Sequence, residues 1–296
     1  MSDNYKKCKL CARNCAIDRT VRAGYCSMTD KIFVARAALH MWEEPPISGV
    51  RGSGTIFFSG CSLKCEFCQN ADISRGRSGK EVTAERLSEI MLELQNKGAH
   101  NINFVTPTHY IPSVARAITL ARDGGLSIPV VYNTASYENV DALRDLRGLV
   151  DIYLPDFKYF TEKTALALSS APGYADVAKA AVAEMVEQTG APMLDGDGML
   201  VRGTVVRVLL LPSHVAEAKL IVKYLHDTYG DGIYISLMNQ YTPMPGMTPP
   251  LDRRVTREEY RQLVDYADRI GVRLGFIQEE GTATESFIPP FNNEGV

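Results

Sequence analysis

No apolar run in this chain is longer than a strand, which excludes a membrane-spanning helix of about 20 residues. Charge of either sign is scarce in excess: the formal net charge is -3, so there is neither the basic field of a nucleic-acid binder nor an acidic tail. Cysteine is absent after Cys68, tryptophan occurs only at Trp42, and no internal repeat or low-complexity segment is evident. A disulfide framework would spread and pair its cysteines. Seven of them, an odd number confined to the first quarter of the chain, point instead to metal ligation in a reducing compartment. The N-terminal run Met1-Ser2-Asp3-Asn4-Tyr5-Lys6-Lys7 lacks the apolar stretch of a signal peptide. The expectation is a cytoplasmic protein with no membrane or nucleic-acid partner.

What is present suits a soluble globular protein, with 45% hydrophobic and 23% charged residues in 296. The cysteines form two groups. Cys8, Cys11, Cys15 and Cys26 are spaced C-x2-C-x3-C-x10-C, and four thiolates close the coordination sphere of a metal. Lys6, Lys7, Lys9, Arg13, Arg19 and Arg22 would balance the negative charge of zinc or of an auxiliary iron–sulfur cluster alike. Charge therefore leaves both open, beside unligated thiols. Cys61, Cys65 and Cys68 follow as C-x3-C-x2-C, directly after the apolar Thr55-Ile56-Phe57-Phe58. A protein-ligated four-iron cluster takes four cysteines; three leave one iron open to a small molecule, the mark of a reactive site. The bland alternative is a zinc loop, for which this spacing is unusual.

From residue 55 the pattern alternates between strand and helix. Strands are expected at 55–60, 102–106, 129–134, 150–157, 205–211 and 233–238, with a last apolar piece at 273–277. Helices are expected at 81–97, 111–122, 140–146, 161–188 with a break near Pro172-Gly173, 215–229 and 257–270. Such alternation argues for parallel βαβ units with right-handed crossovers, and six units fall short of a closed eight-fold barrel. The expected fold is α/β, a partial, laterally open (β/α)6 barrel over 51–278. Before it, residues 1–50 hold the four-cysteine segment, a strand at 32–36 and a proline-broken linker at 40–49. Residues 279–296 read as a polar tail.

Reactive groups in such a barrel sit at the C-terminal ends of the strands. Those ends carry the three cysteines with Phe67, Gln69 and Asn70, then Thr106, Thr108 and His109, Asn133, Asp156 with Lys158, and Gln240; Arg207 lies within the fifth strand. Alternate residues of a strand face one way, so Asp156 and Lys158 share a face, and a carboxylate beside an ammonium suits a zwitterionic ligand. A buried Arg207 must find an anionic partner. Read alone, His109 is more often a satisfied loop histidine, and Arg207 is as readily an edge residue.

The C-x3-C-x2-C run with Phe67 before its last cysteine resembles the signature of the radical S-adenosylmethionine (radical SAM) superfamily. Cys68-Gln69-Asn70, Asn101 to His109, Val150 to Tyr159, Met238-Asn239-Gln240-Tyr241, Glu43-Glu44-Pro45-Pro46 and the N-terminal cysteines resemble its pyruvate formate-lyase activating enzyme-like group. The resemblance implies a [4Fe-4S] cluster on Cys61, Cys65 and Cys68 that reductively cleaves S-adenosylmethionine, with hydrogen abstraction by the resulting radical. It implies that Phe67 lies near the adenine, that Lys158 helps hold the cofactor and that Asp156 helps bind a monovalent cation. Asn70, Thr106, Thr108, His109, Asn133, Arg207 and Gln240 complete the expected cofactor site. Thr106-Pro107-Thr108 stands where this group has Gly-Gly-Glu, Asn133-Thr134 where an aspartate is common, and Val208 where a histidine is common. Implied partners are a reductant such as flavodoxin or ferredoxin and a glycyl-radical enzyme. Another peptide, a small metabolite, or a non-catalytic iron–sulfur sensor are the alternatives.

Overall fold

The computed structural model describes residues 3–76, 78–278 and 289–296. Its centre is a sheet of parallel strands. In chain order the strands are β1 (Ile32–His40), β2 (Ser53–Phe58), β3 (Lys80–Val82), β4 (Ile102–Val105), β5 (Val130–Thr134), β6 (Ile152–Pro155), β7 (Met193–Leu194), β8 (Leu200–Leu209), β9 (Tyr234–Met238) and β10 (Gly275–Ile277). They lie side by side in the order β10-β9-β8-β6-β5-β4-β2-β1-β3, an open path with β7 hanging on β8. From β2 through β10 every neighbouring pair on that path is parallel, while β1 and β3 add an antiparallel flap beyond β2. The sheet is thus α/β, mostly parallel and not closed. The six expected strands are joined by a parallel β10, and the flap is longer than the short strand expected at 32–36.

The helices cover the outer face because their apolar residues recur at helical spacing. In Ala84–Asn96 the buried positions Leu87, Ile90, Met91 and Leu94 form one stripe, and the Thr83 hydroxyl accepts from the Arg86 N–H at 3.1 Å to cap it. That cap is why the helix starts later than 81: Lys80, Glu81 and Val82 pair with β1 instead. The expected helix at 161–188 is two, Glu162–Ser169 and Tyr174–Thr189, separated at Pro172-Gly173. Helices Val215–Tyr229 and Arg257–Ile270 lie where the periodicity puts them.

Strand alternation sorts the side chains. Ile56 and Phe58 of β2, Phe104 of β4 and Tyr132 of β5 face outward into the core beneath the helices, and so do Val206 and Val208 of β8. Phe57, Asn133 and Arg207, one position over, face the barrel interior. Residues 45–48 are not a linker. They form a helical turn opened by two prolines, and its Ile47 plugs the barrel bottom against Val131, Ile152, Leu154 and Val205. Asn101 fixes that plug by donating to the Ile47 carbonyl at 2.7 Å while accepting from Ser53 Oγ at 2.6 Å.

Part of the expected tail, 279–288, lies outside the described residues. The remainder is not free: the Asn293 N–H donates to Ala35 O at 3.0 Å and the Ala37 N–H to Glu294 O at 2.8 Å. Phe291 packs edge-on against Phe57, with ring centroids 5.4 Å apart.

Candidate active site

At the C-terminal ends of the parallel strands a cavity of about 240 Å³ opens into the barrel interior. The loop after β2 delivers Cys61, Cys65 and Cys68 to its wall. Gly60 enters this loop at φ +88°, a left-handed conformation open to glycine, and its N–H donates to Ile73 O at 2.7 Å. Within the loop the Cys68 N–H donates to Cys65 O at 3.2 Å and the Leu63 N–H to Cys61 Sγ at 3.3 Å. Burial, then the proximity of Cys65 and Cys68, pushes the Cys61 thiol up to about 12. Burial raises Cys68 as well, opposed by the nearby Lys158 ammonium. Without a metal, the Cys61 and Cys68 thiols stay protonated at neutral pH, and they ionise on meeting one.

Facing the thiols is a buried charge network. Arg207 Nε donates to Asp156 Oδ1 at 2.7 Å, one terminal nitrogen to Glu43 Oε2 at 3.1 Å and the other to Asn133 Oδ1 at 2.6 Å. Lys158 Nζ donates to Asp156 Oδ2 at 2.7 Å, and Glu43 Oε1 accepts from Asn103 at 2.9 Å and Asn133 at 3.3 Å. The two carboxylates shift in opposite directions although both meet Arg207. Burial pushes Asp156 up, but Arg207 and then Lys158 outweigh it and its acid is strengthened. For Glu43 burial wins over Arg207 alone, and its pKa rises. The difference follows from one cation against two. Lys158 is held protonated because Asp156, and next Cys65, outweigh the cost of burying it.

Of the residues singled out in the sequence, Cys61, Cys65, Phe67, Cys68 and Asn70 line the cavity from one side, and Thr106, Asn133, Asp156, Lys158, Arg207 and Gln240 from the others. Phe67 is pinned by the edges of Tyr159 and Tyr241. Thr108 and His109 are placed elsewhere. Thr106, at φ +59°, turns the chain into a short 3-10 turn, Thr108–Tyr110, that carries both side chains off the cavity wall. Thr108 Oγ1 donates to the buried Glu138 at 2.6 Å. The His109 ring bonds Ser59 O through Nε2 at 2.7 Å, and burial, with Arg19 beside it, pushes its pKa down to about 3. It is a neutral structural histidine. Glu43 is the site residue that pattern reading passed over; its signal was the acidic pair directly before Pro45-Pro46.

Cys8, Cys11, Cys15 and Cys26 gather outside this cavity, near enough that each of the other three opposes ionisation of Cys11, whose thiol burial pushes up to about 12. Among the described residues no group of three or more His, Cys, Asp or Glu side chains stands ready-made as a single-ion site. Four thiolates on one zinc ion lie only about 3.8 Å from one another, given zinc–sulfur bonds of roughly 2.3 Å. A four-iron cube holds its thiolates further apart, and three thiols brought by one loop to the wall of an open cavity suit that larger group.

Residues 55–190 match the family model of the radical SAM superfamily. The chain is 27% identical over 283 residues to Uncharacterized protein MJ0674 of Methanocaldococcus jannaschii, covering 91% of this chain and 77% of that protein. Its fold resembles that of SuiB from Streptococcus suis bound to S-adenosylmethionine, with a TM-score of 0.53 at 13% identity over 75% of this chain and 48% of SuiB. It also resembles methylornithine synthase (PylB), with a TM-score of 0.51 at 14% identity over 87% of this chain and 66% of the synthase. The chain thus spans about half the length of SuiB. The family-model match covers residues 55–190, under half of the 296, and the solved structures show likeness of fold. No helix among the described residues is long and apolar enough to cross a membrane.

Proposed function

We propose that this protein is a radical SAM enzyme carrying a [4Fe-4S] cluster on Cys61, Cys65 and Cys68, and that it abstracts a hydrogen atom from its substrate. One observation carries the reading: three thiols and the Lys158–Asp156–Arg207–Glu43 network line the same cavity at the C-terminal mouth of a parallel sheet. When bound there, the cluster supplies the electron that breaks the sulfonium carbon–sulfur bond of S-adenosylmethionine, giving methionine and a 5′-deoxyadenosyl radical. The protein's own part is binding and exclusion. Lys158 and Arg207, kept charged by Asp156 and Glu43, offer cations to a carboxylate, while Asn70, Asn133 and Gln240 offer amides to polar groups. Phe67 gives an apolar face between Tyr159 and Tyr241 for a base to stack against.

For the substrate, we propose a peptide or protein loop, with a glycine of a glycyl-radical enzyme as the specific case. In support, SuiB and another fold neighbour, anSMEcpe, have been solved with peptides bound, and the sheet of this chain is open rather than closed. The synthase among the neighbours keeps a small metabolite as the second reading. A one-electron donor such as flavodoxin or ferredoxin is the implied protein partner. For the N-terminal thiols we propose a second metal centre, zinc or an auxiliary cluster. Residues 7–31 contain no helix or strand, yet Cys8, Cys11 and Cys26 are buried in them, an arrangement that a metal would tie together.

The test is anaerobic reconstitution, reduction, and assay for 5′-deoxyadenosine, with deuterated candidate peptides and metabolites to trace the hydrogen. A reduced, iron-loaded protein that leaves S-adenosylmethionine whole would refute the reading. Iron and zinc counts per chain decide the second centre.

A further inference from the structure

We infer that the N-terminal four-cysteine segment is the buttress of the Cys61–Cys68 loop, with Arg13 and Arg19 as its positioning residues. The inference rests on reading that loop as the one that carries the cluster. Arg13 reaches across from the N-terminal segment, where it stacks on Tyr25 with its guanidinium 3.9 Å from the ring centroid. It donates to Ser62 O at 2.8 Å and Leu63 O at 3.4 Å, inside the loop, and to Ser169 O at 2.8 Å and Ser170 O at the end of helix Glu162–Ser169. One planar fork therefore ties the middle of the loop to a helix end, which a lysine would not reproduce.

Arg19 acts one step further back. It is among the largest fully buried side chains, and it donates to Met28 O at 3.1 Å, to Thr29 O and to His109 O at 2.5 Å. His109 in turn gives its Nε2–H to Ser59 O at 2.7 Å, the residue that opens the loop. A Cβ on Gly60 would collide with Met28 and come 2.7 Å from Cys26 O, so the residue before Cys61 lies directly on the N-terminal segment. On the far side of Cys61, Lys64 Nζ donates to Ser27 Oγ at 2.5 Å. The loop is thus held by residues 13–29 at Gly60 before Cys61 and at Ser62, Leu63 and Lys64 between Cys61 and Cys65. Groups that orient metal ligands commonly change metal affinity about 10–100-fold when removed.

The experiment compares the full-length chain with Arg13→Gln and with Arg202→Gln, a control arginine that donates to Gln188 O at 3.1 Å far from the loop. Before reconstitution, pulsed alkylation read by peptide mass spectrometry measures exposure of Cys61, Cys65 and Cys68. After anaerobic reconstitution and reduction, electron paramagnetic resonance reads the cluster environment, and a chelator challenge reads iron release. Arg13→Gln is expected to raise alkylation and iron release roughly tenfold or more and to broaden the resonance, with Arg202→Gln unchanged. Alkylation within twofold of the parent and an identical resonance would overturn the buttress. If Arg13→Gln does not fold, Lys64→Ala removes the ammonium's bond to Ser27 and its contact with the Tyr25 ring, both on the N-terminal segment, and carries the same comparison. A parent chain that takes up no iron sinks the reading of the loop, while the alkylation arm still decides the buttress.

Discussion

The two cysteine groups of this chain are held by opposite means. Cys8, Cys11, Cys15 and Cys26 lie in irregular backbone, where turns, buried thiols and arginine-to-carbonyl bonds replace secondary structure. Cys61, Cys65 and Cys68 hang from the end of a fully buried strand and face a cavity rich in charge. A closed set of four donors needs no scaffold beyond its own ligands. An open set of three must be kept from collapsing onto itself or onto the protein, and here two neighbouring structures do so: β2 behind and the N-terminal segment at the side. The difference teaches that, on the proposed function, the three-thiol loop depends on its surroundings more than the four-thiol segment does.

The comparison breaks most visibly if the three-thiol loop is not the reactive one. Replacing Cys61, Cys65 or Cys68 with alanine is expected to abolish 5′-deoxyadenosine release and remove the loop's iron, while metal held by Cys8, Cys11, Cys15 and Cys26 remains. Metal counts and product assay on each variant check this. Next in size is Arg207→Met. It strands Glu43 and Asp156 without their shared cation, and breaking a buried pair costs about 3–5 kcal/mol. Denaturant unfolding should show that loss, and calorimetry a weaker cofactor, with iron content near that of the parent.

A smaller effect sits at the joint between the two groups. His109 is neutral when folded, with its pKa pushed down to about 3, whereas the unfolded chain binds a proton there below about pH 6.5. The unfolded state holds the extra proton, so stability falls as pH drops below that value, by up to about 1.4 kcal/mol per pH unit from this group. In His109→Gln, whose amide still reaches Ser59 O, the slope between pH 5 and 6 should be shallower by about that amount. Parallel slopes would remove His109 from the joint. Smallest is a change remote from both groups. Thr256 caps helix Arg257–Ile270 in a reciprocal capping box with Glu259, and Thr256→Ala should cost about 1 kcal/mol and leave metal content and product release per folded protein unchanged.

Much of the barrel was legible because its signals are local. Helices with an apolar stripe, such as Val215–Tyr229 and the capped Arg257–Ile270, read straight from periodicity. The parallel strands announce themselves as short apolar runs between helices. The flap was harder, because β3 is three residues long and exists only through pairing with Ile32, Phe33 and Val34. Helical turn Pro45–Ser48 reads as a linker until Ile47 meets the barrel floor, and with it Glu43 comes into the interior. In the site, residues borne directly on strands fell on the face that alternation gives them, as Arg207 shows between Val206 and Val208. Thr108 and His109 lie past a left-handed residue, where alternation no longer holds.

One feature of the fold bears on how the protein behaves among its own copies. β3 leaves β1 after Val34, so the upper edge of β1 would present unpaired amides and carbonyls were it not for Asn293 and Glu294. The chain's last residues thereby act as a selvedge on its sheet. Clipping them would bare a strand border of the kind that recruits other strands.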